Sequence, residues 1–461
     1  MSDNPQQLDR SLTLWPIVFF GLAYITPFIV LTTFGVFSEA SSGTLPTAYA
    51  IAGIAMIFTA LSYGKMAREF PLAGSAYTYS RKAIDSRVGF MVGWAVLLDY
   101  FFLPMVVWLI GTAYLTAEFP NVPGWMFLLG FIVLTTALNV IGIKVATRVN
   151  IALIAFQILI LGFFLFFSLR DVLGAGGGGF TFEPFWNTTS TLAAVSAGAA
   201  LCAYSFIGFD AVSTFAEEAV NPKKTIPRAI LLTAVLAAVI FVIVAFVTQL
   251  VHPGGVFTDS ASAPLEIAKA IGGNLFGSVF LATVIIAQFT AGIPIQAAGA
   301  RLMFAMGRDN VLPRKWFAYV SPRFHTPVIN LVLTGAVGLI ALGLSVSTST
   351  SFINFGAFTA FAFVNVSVIA FYFRTRKARQ LSWASWIVQP LIGLGVIIWL
   401  LTHLDWKALT LGAIWVTIGF IWLLVLTKAF RVQPPEMDFS EEEDLESAGE
   451  PTQPAAVQAT T

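Results

Sequence analysis

The sequence predicts an all-α membrane protein: twelve transmembrane helices, ten of them forming a five-plus-five inverted repeat with broken helices 1 and 6, plus two additional helices. Composition, the length of the apolar runs and the placement of lysine and arginine carry that expectation. Of 461 residues, 57% are hydrophobic and 11% are charged. Soluble domains carry about 25% charged residues, so this chain cannot cover a water-facing surface and needs lipid as its solvent. A net charge of +1 argues against a polyanionic partner such as nucleic acid. The single cysteine, Cys202, falls in an apolar run and excludes an intramolecular disulfide.

Runs able to cross roughly 30 Å of hydrocarbon occur at 13–38, 45–66, 88–117, 124–143, 149–169, 192–218, 226–251, 272–302, 327–346, 351–373, 386–402 and 408–429. Their continuity points to helices, because barrel strands alternate in short segments. The first run lacks a small-residue cleavage pattern and reads as a retained span. With the N-terminus inside, 22 of the 25 lysines and arginines fall in inner segments; only Arg170, Lys269 and Lys407 fall outside. Cytoplasmic loops collect such charges, which places both termini in the cytoplasm.

The expected layout is a cytoplasmic segment at 1–12, a first repeat at 13–169 and an external loop at 170–191. A second repeat follows at 192–373, then helices 11 and 12 at 374–429 and a tail at 430–461. The tail holds Pro434-Pro435 and the acidic run Glu441-Glu442-Glu443-Asp444, too little apolar surface to fold. The run Gly176–Gly179 lacks a following Lys-Ser/Thr and reads as a flexible loop, not a phosphate cradle.

Two spans are interrupted in matching places. The first contains Gly21-Leu22-Ala23-Tyr24-Ile25-Thr26-Pro27-Phe28, followed by Thr32-Thr33-Phe34-Gly35. Proline removes a backbone donor and crowds the preceding turn, and glycine lowers helix preference. The sixth contains Ser205-Phe206-Ile207-Gly208-Phe209-Asp210. Each starts a five-span half, and five is odd, so the second half is inverted relative to the first. Inverted repeats with discontinuous first helices bind substrate at their crossing. Tyr24, Thr26, Pro27, Thr32, Thr33, Tyr204, Ser205, Phe206 and Gly208 are therefore candidate substrate-binding residues, with Tyr100 of the third span.

Ionisable groups inside spans are costly and are functional candidates. These are Asp99 in the third span, Asp210 beyond the sixth-span break, and Glu217-Glu218 near that helix's inner end. The two glutamates have an alternative as wetted partners of Lys223, Lys224 or Arg228. Aromatic faces near the breaks suit an organic cation. Gln288 and Asn354 are polar at similar depth but serve equally well in helix–helix hydrogen bonding.

The stretch from Ser205 to Val212, continuing through Glu217-Glu218 to Asn221-Pro222-Lys223-Lys224-Thr225-Ile226-Pro227, resembles the amino acid–polyamine–organocation transporter superfamily. Phe70–Tyr77 and Gly307-Arg308-Asp309-Asn310 support the match. Within it, Gly21–Tyr24, Gly89–Trp94 with Leu98-Asp99-Tyr100, and Ile353–Ala357 with Phe363-Val364-Asn365 most resemble bacterial putrescine importers. The resemblance implies proton-motive uptake of small amines, with Tyr100 and one of Glu217 and Glu218 handling the amine. It departs at Thr32, where those importers carry an aspartate, which suggests a substrate with a single cationic end. The fifth span has no lysine to act as a proton switch, leaving Asp99, Asp210 and the Glu217-Glu218 pair as gating or proton-coupling candidates.

A proton-coupled importer of a small amine is the leading expectation, and an amino acid permease of the same superfamily is the alternative. A channel would need a continuous polar stripe, which the spans lack. An enzyme would need a chemical cluster, whereas His252, His325 and His403 lie far apart in sequence. No cofactor or metal is expected. The expected partners are the substrate, a proton and the bilayer.

Overall fold

The computed structural model describes residues 12–71, 75–142, 147–174, 178–216 and 218–436. The N-terminal eleven residues, Glu217, and the expected disordered tail from 437 onward lie outside the described residues, as do Gly176 and Gly177 of the glycine run. All named elements are helices. Among the described residues the β pairing is one isolated parallel bridge between Leu12 and Ala219.

The chain runs through α1 (Leu14–Ile25), α2 (Ile29–Ala40), α3 (Leu45–Glu69), α4 (Ser75–Ala83), α5 (Ser86–Glu118), α6 (Gly124–Ile141) and α7 (Thr147–Leu173). Next come α8 (Leu192–Cys202), two 3₁₀ segments (Ala203–Phe206 and Phe209–Ala216), α9 (Pro222–Val251) and α10 (Ala263–Arg308). The remainder is α11 (Arg314–Phe317), α12 (Val328–Gly338) with a 3₁₀ turn (Leu339–Gly343), α13 (Val346–Thr375), a π-helical turn (Ala384–Val388) leading into α14 (Gln389–Leu401), and α15 (Trp406–Leu426). Among the described residues ten helices are long and apolar enough to cross a membrane, and the bent pair α1 and α2, taken as one span, makes an eleventh.

The expected span at 327–346 is shorter in the structure. Its α-helix ends at Gly338 and continues as a 3₁₀ turn over Leu339–Gly343. Glycines at 335, 338 and 343 weaken the α-helix there. The tighter 3₁₀ turn rises more per residue, so the 16 residues still reach about 26 Å. The expected span at 272–302 is the longer part of α10, which extends to Arg308. It is set off from residues 263–272 by Gly273, whose φ of 77° and ψ of 178° no helix allows. The short α4, rich in polar residues, was not anticipated.

Helices meet where side chains are small, since lipid offers no hydrophobic drive for association. α3 runs along α9, and a Cβ on Gly53 would lie 2.7 Å from that of Ala238. α5 runs along α10 and α13, and α6 packs on α12. α2 is clamped by the stretch after α9. A Cβ on Gly35 would sit 2.1 Å from the Ser260 carbonyl oxygen. Nearby, the Ser38 hydroxyl donates to Gln249 Oε1 at 2.7 Å, and Gln249 Nε2 donates to the His252 and Gly254 carbonyls, both at 2.7 Å. Gly35→Val is therefore expected to cost about 1–3 kcal/mol by overpacking, read as a lower melting temperature in detergent. An unchanged Tm would show that the clamping stretch gives way instead.

Candidate functional site

The first interruption lies between α1 and α2, which meet at 50°. α1 ends because Thr26 takes a left-handed φ of 53° and the next residue is Pro27, which has no amide to continue the ladder. The Thr26 N–H closes the last turn onto the Leu22 and Ala23 carbonyls, both at 3.2 Å, and its hydroxyl donates to Ala23 at 3.1 Å. The chain restarts when the Ile29 N–H donates to Thr26 O at 2.9 Å. Thr32 and Thr33 return their hydroxyls to the Ile29 carbonyl, at 3.0 and 2.8 Å.

The second interruption separates the two 3₁₀ segments. Ile207 is extended (φ −57°, ψ 127°) and Gly208 has a φ of 109°. A Cβ on Gly208 would lie 2.3 Å from Tyr24 Cδ1, so the Tyr24 ring packs directly on the backbone of the second break. Glycine is needed there both for the positive φ and for this approach. Upstream, Asn354 of α13 donates its Nδ2 to the Ala200 carbonyl at 2.7 Å, and Ser205 Oγ lies 2.9 Å from the Tyr49 hydroxyl. Asn354 thus serves helix–helix bonding.

A cavity of about 80 Å³ lies between the two breaks. From the first break, Tyr24, Ile25, Thr26, Phe28, Ile29 and Thr32 line it. From the second come Tyr204, Ser205 and Ile207. Leu103 and Val107 of α5 close one side; Ala287, Gln288, Ala291 and Ile295 of α10 close another. At ~30 Å³ per water, it holds a few waters or a slender small molecule. A wider cleft on the outer wall between α5 and α15 has no charged or hydroxyl side chain, and so offers an ammonium no hydrogen-bond acceptor or counter-ion from a side chain.

Two carboxylates, not themselves lining residues, lie within electrostatic reach of the wall of the cavity between the breaks. Asp99 of α5 and Asp210 of the second 3₁₀ segment lie within electrostatic reach of each other. Tyr24 reaches both, and Tyr204 reaches Asp99. Asp99 keeps one buried oxygen with no hydrogen-bond partner among the described residues. Asp210 is set against the amides of Gly208 and Ala211 and its own, and faces the Tyr63 hydroxyl. Among the described residues neither acid forms an ion pair. A buried carboxylate without a counter-ion is costly, and a cationic ligand relieves that cost.

Of the residues singled out from sequence, Tyr24, Thr26, Thr32, Tyr204 and Ser205 line the cavity. Pro27 sits in the first break between two lining residues, and Gly208 supports the Tyr24 ring. Thr33 is buried behind the cavity wall. Phe206 is fully buried and packs edge-on against Phe241 of α9 at 4.9 Å, away from the cavity. Tyr100 lies within electrostatic reach of Tyr63, on the Asp210 side. Glu218 is elsewhere: its carbonyl accepts the Leu12 N–H at 3.2 Å, and the Val220 N–H donates to Leu12 at 2.9 Å. Phe28, an aromatic beside the first break, was legible; sequence reasoning missed the aliphatic lining residues, which look like any lipid-facing position. Gln288 carried a signal, an amide flanked by apolar residues in the eighth span.

A bundle of apolar helices around a small, mainly apolar cavity with a few hydroxyl and amide groups, set at two helix interruptions, is the layout of a membrane transport protein, not an enzyme. The chain belongs to the amino acid permease family, whose model matches residues 17–435. It is 38% identical over 439 residues to the low-affinity putrescine importer PlaP of Escherichia coli (strain K12), covering 94% of this chain and 97% of that protein. It is 27% identical to the methylthioribose transporter of Bacillus subtilis (strain 168), over 90% of this chain and 92% of the relative. It is 25% identical to the branched-chain amino acid permease BcaP of the same organism, over 91% and 93%.

Proposed function

We propose that this protein imports a small amine of the putrescine class across the cytoplasmic membrane by alternating access, coupled to protons. The observation that carries the reading is the pair Asp99 and Asp210, unpaired among the described residues, beside Tyr24 at the wall of the cavity. A bound ammonium has the Tyr24 and Tyr204 ring faces, the Thr26 region of the first break and the carboxylate field as partners. The relative PlaP, named a putrescine importer, supports the same substrate class. Asp99, Asp210, Glu217 and Glu218 are the groups assigned to gating or proton movement, and Tyr100 to amine handling.

The architecture we assign is twelve spans with both termini cytoplasmic, counting α12 with its 3₁₀ extension as the ninth. The two repeats are 13–169 and 192–373. Three packing relations support their equivalence: α3 on α9, α5 on α10 and α6 on α12 join the second, third and fourth spans of each half. Alternating access is then a rocking of the halves around the breaks.

Labelled putrescine uptake in cells lacking their own importers, with and without an uncoupler, tests the function. Saturable, uncoupler-sensitive uptake is expected; its absence for every amine ends the reading. The second reading, an amino acid permease, is favoured by the neutral Thr32 and Gln288 in the cavity wall, which leave a second ammonium without a carboxylate there. Alanine blocking uptake while aminobutane does not would select it. Thr32→Asp is expected to improve putrescine affinity relative to aminobutane by about tenfold, the gain of one charge-assisted hydrogen bond. Equal effects on both amines would remove Thr32 from the site.

A further inference from the structure

α5, the turn following α10, and α15 frame a cleft of about 340 Å³, lined by Trp94, Leu312, Pro313, Ile418, Ile421 and Trp422. Its walls are fixed. Trp94 and Trp415 each donate the indole N–H to the other's carbonyl at 2.9 Å, with their rings stacked 5.1 Å apart. Trp422 donates its indole N–H to the Val311 carbonyl at 2.7 Å. Gly419 lets the Trp94 ring lie against α15, since a Cβ there would be 2.3 Å from Trp94 Cδ1. With these indole donors satisfied, the cleft offers a ligand only hydrocarbon.

The cleft lies toward one end of the bundle. Trp94 is in the first turns of α5, Leu312 follows the end of α10, and Trp422 is in the last turns of α15. That end carries the exposed cations Arg314, Lys315, Lys428 and Arg431. The nearby acids are engaged elsewhere: Asp309 with Arg308 at 3.0 Å, and Glu436 with Arg81 at 3.1 Å. Trp316, 60% exposed, stands beside the first two cations, as aromatic residues do at headgroup level. A rigid apolar slot with a cationic rim matches a molecule with an acyl chain and a negative head, and basic sites beside membrane helices select such lipids.

We propose that this cleft is a binding site for an anionic phospholipid, one acyl chain lying against Trp94 and Ile418 and the phosphate resting on Arg314 and Lys315. The site is separate from the transport cavity, so it stands independently of the substrate reading.

The test is native mass spectrometry of the detergent-purified full chain, incubated with equal amounts of phosphatidylglycerol and phosphatidylcholine. Preferential retention of phosphatidylglycerol is expected. Arg314→Ala with Lys315→Ala should lower that preference by about fivefold for each charge removed. Ile418→Trp, which fills the slot from an exposed position, should reduce retention of both lipids. Equal retention of the two lipids by the wild type, or an unchanged preference in the double variant, would overturn the proposal. So would a dimer that neither lipid disturbs and that Ile418→Trp dissociates, since a second copy of the chain would then fill the cleft.

Discussion

Replacing Gly208 with alanine is expected to abolish uptake while leaving the protein in the membrane at normal levels. Two independent costs meet at this atom. A φ of 109° lies outside the region open to a residue with a Cβ, and such strain costs about 1–3 kcal/mol. The new methyl would also sit 2.3 Å from the Tyr24 ring, an overpacking cost of about 1–3 kcal/mol. Both fall where the two broken helices touch, so relief requires either the second break to rewind or Tyr24 to leave the cavity wall. The uptake rate per membrane-inserted molecule should fall by more than about 30-fold, the factor set by ~2 kcal/mol. Combining Gly208→Ala with Tyr24→Ala separates the causes: the steric cost disappears and the backbone cost stays, so the two substitutions should be strongly non-additive. Normal uptake by Gly208→Ala alone would mean that the break does not take part in transport.

The parts of this molecule legible in its sequence are those written in rare residues. Pro27 and Gly208 announced the breaks because few other residues interrupt a helix in lipid, and Asp99 and Asp210 stood out because few carboxylates occur at that depth. Some helix boundaries, such as those of α5 and α6 against the runs 88–117 and 124–143, were legible because apolar runs must match the bilayer. What was not legible depends on which face of a helix meets which neighbour. Phe206 is adjacent in sequence to two cavity residues, yet its ring fills the space between α3 and α9 beside Gly53. Val107 and Ile295 line the cavity with side chains indistinguishable from those facing lipid. The kink at Gly273 turned on one glycine and the 3₁₀ end of the ninth run on three, among 37 in the chain, most of which sit inside intact helices or loops.

Neutralising Asp99 is expected to weaken amine uptake strongly with little change in stability. Asp99→Asn keeps the shape of the side chain and removes its charge. The oxygen at stake has no protein hydrogen-bond partner among the described residues, so an acceptor is lost to the ligand before it is lost to the fold. A hydrogen bond to a charged group contributes about 1.5–3 kcal/mol, so KM should rise by roughly 10- to 150-fold. Asp210→Asn should behave differently, because that carboxylate also faces the amides of Gly208 and Ala211 and the Tyr63 hydroxyl. Its loss should raise KM and also lower Tm, as the second 3₁₀ segment loses its anchor. Comparing putrescine with aminobutane then reports how the pair is used. If the two acids hold the two ends of a diamine, Asp99→Asn raises KM for putrescine and spares aminobutane. If both acids share one ammonium, the two amines suffer alike, and the neutral Thr32 is then the residue facing the far end of the substrate. Should neither KM move, the carboxylates act on a step other than amine binding, and the assignment of the cavity as the amine site fails with them.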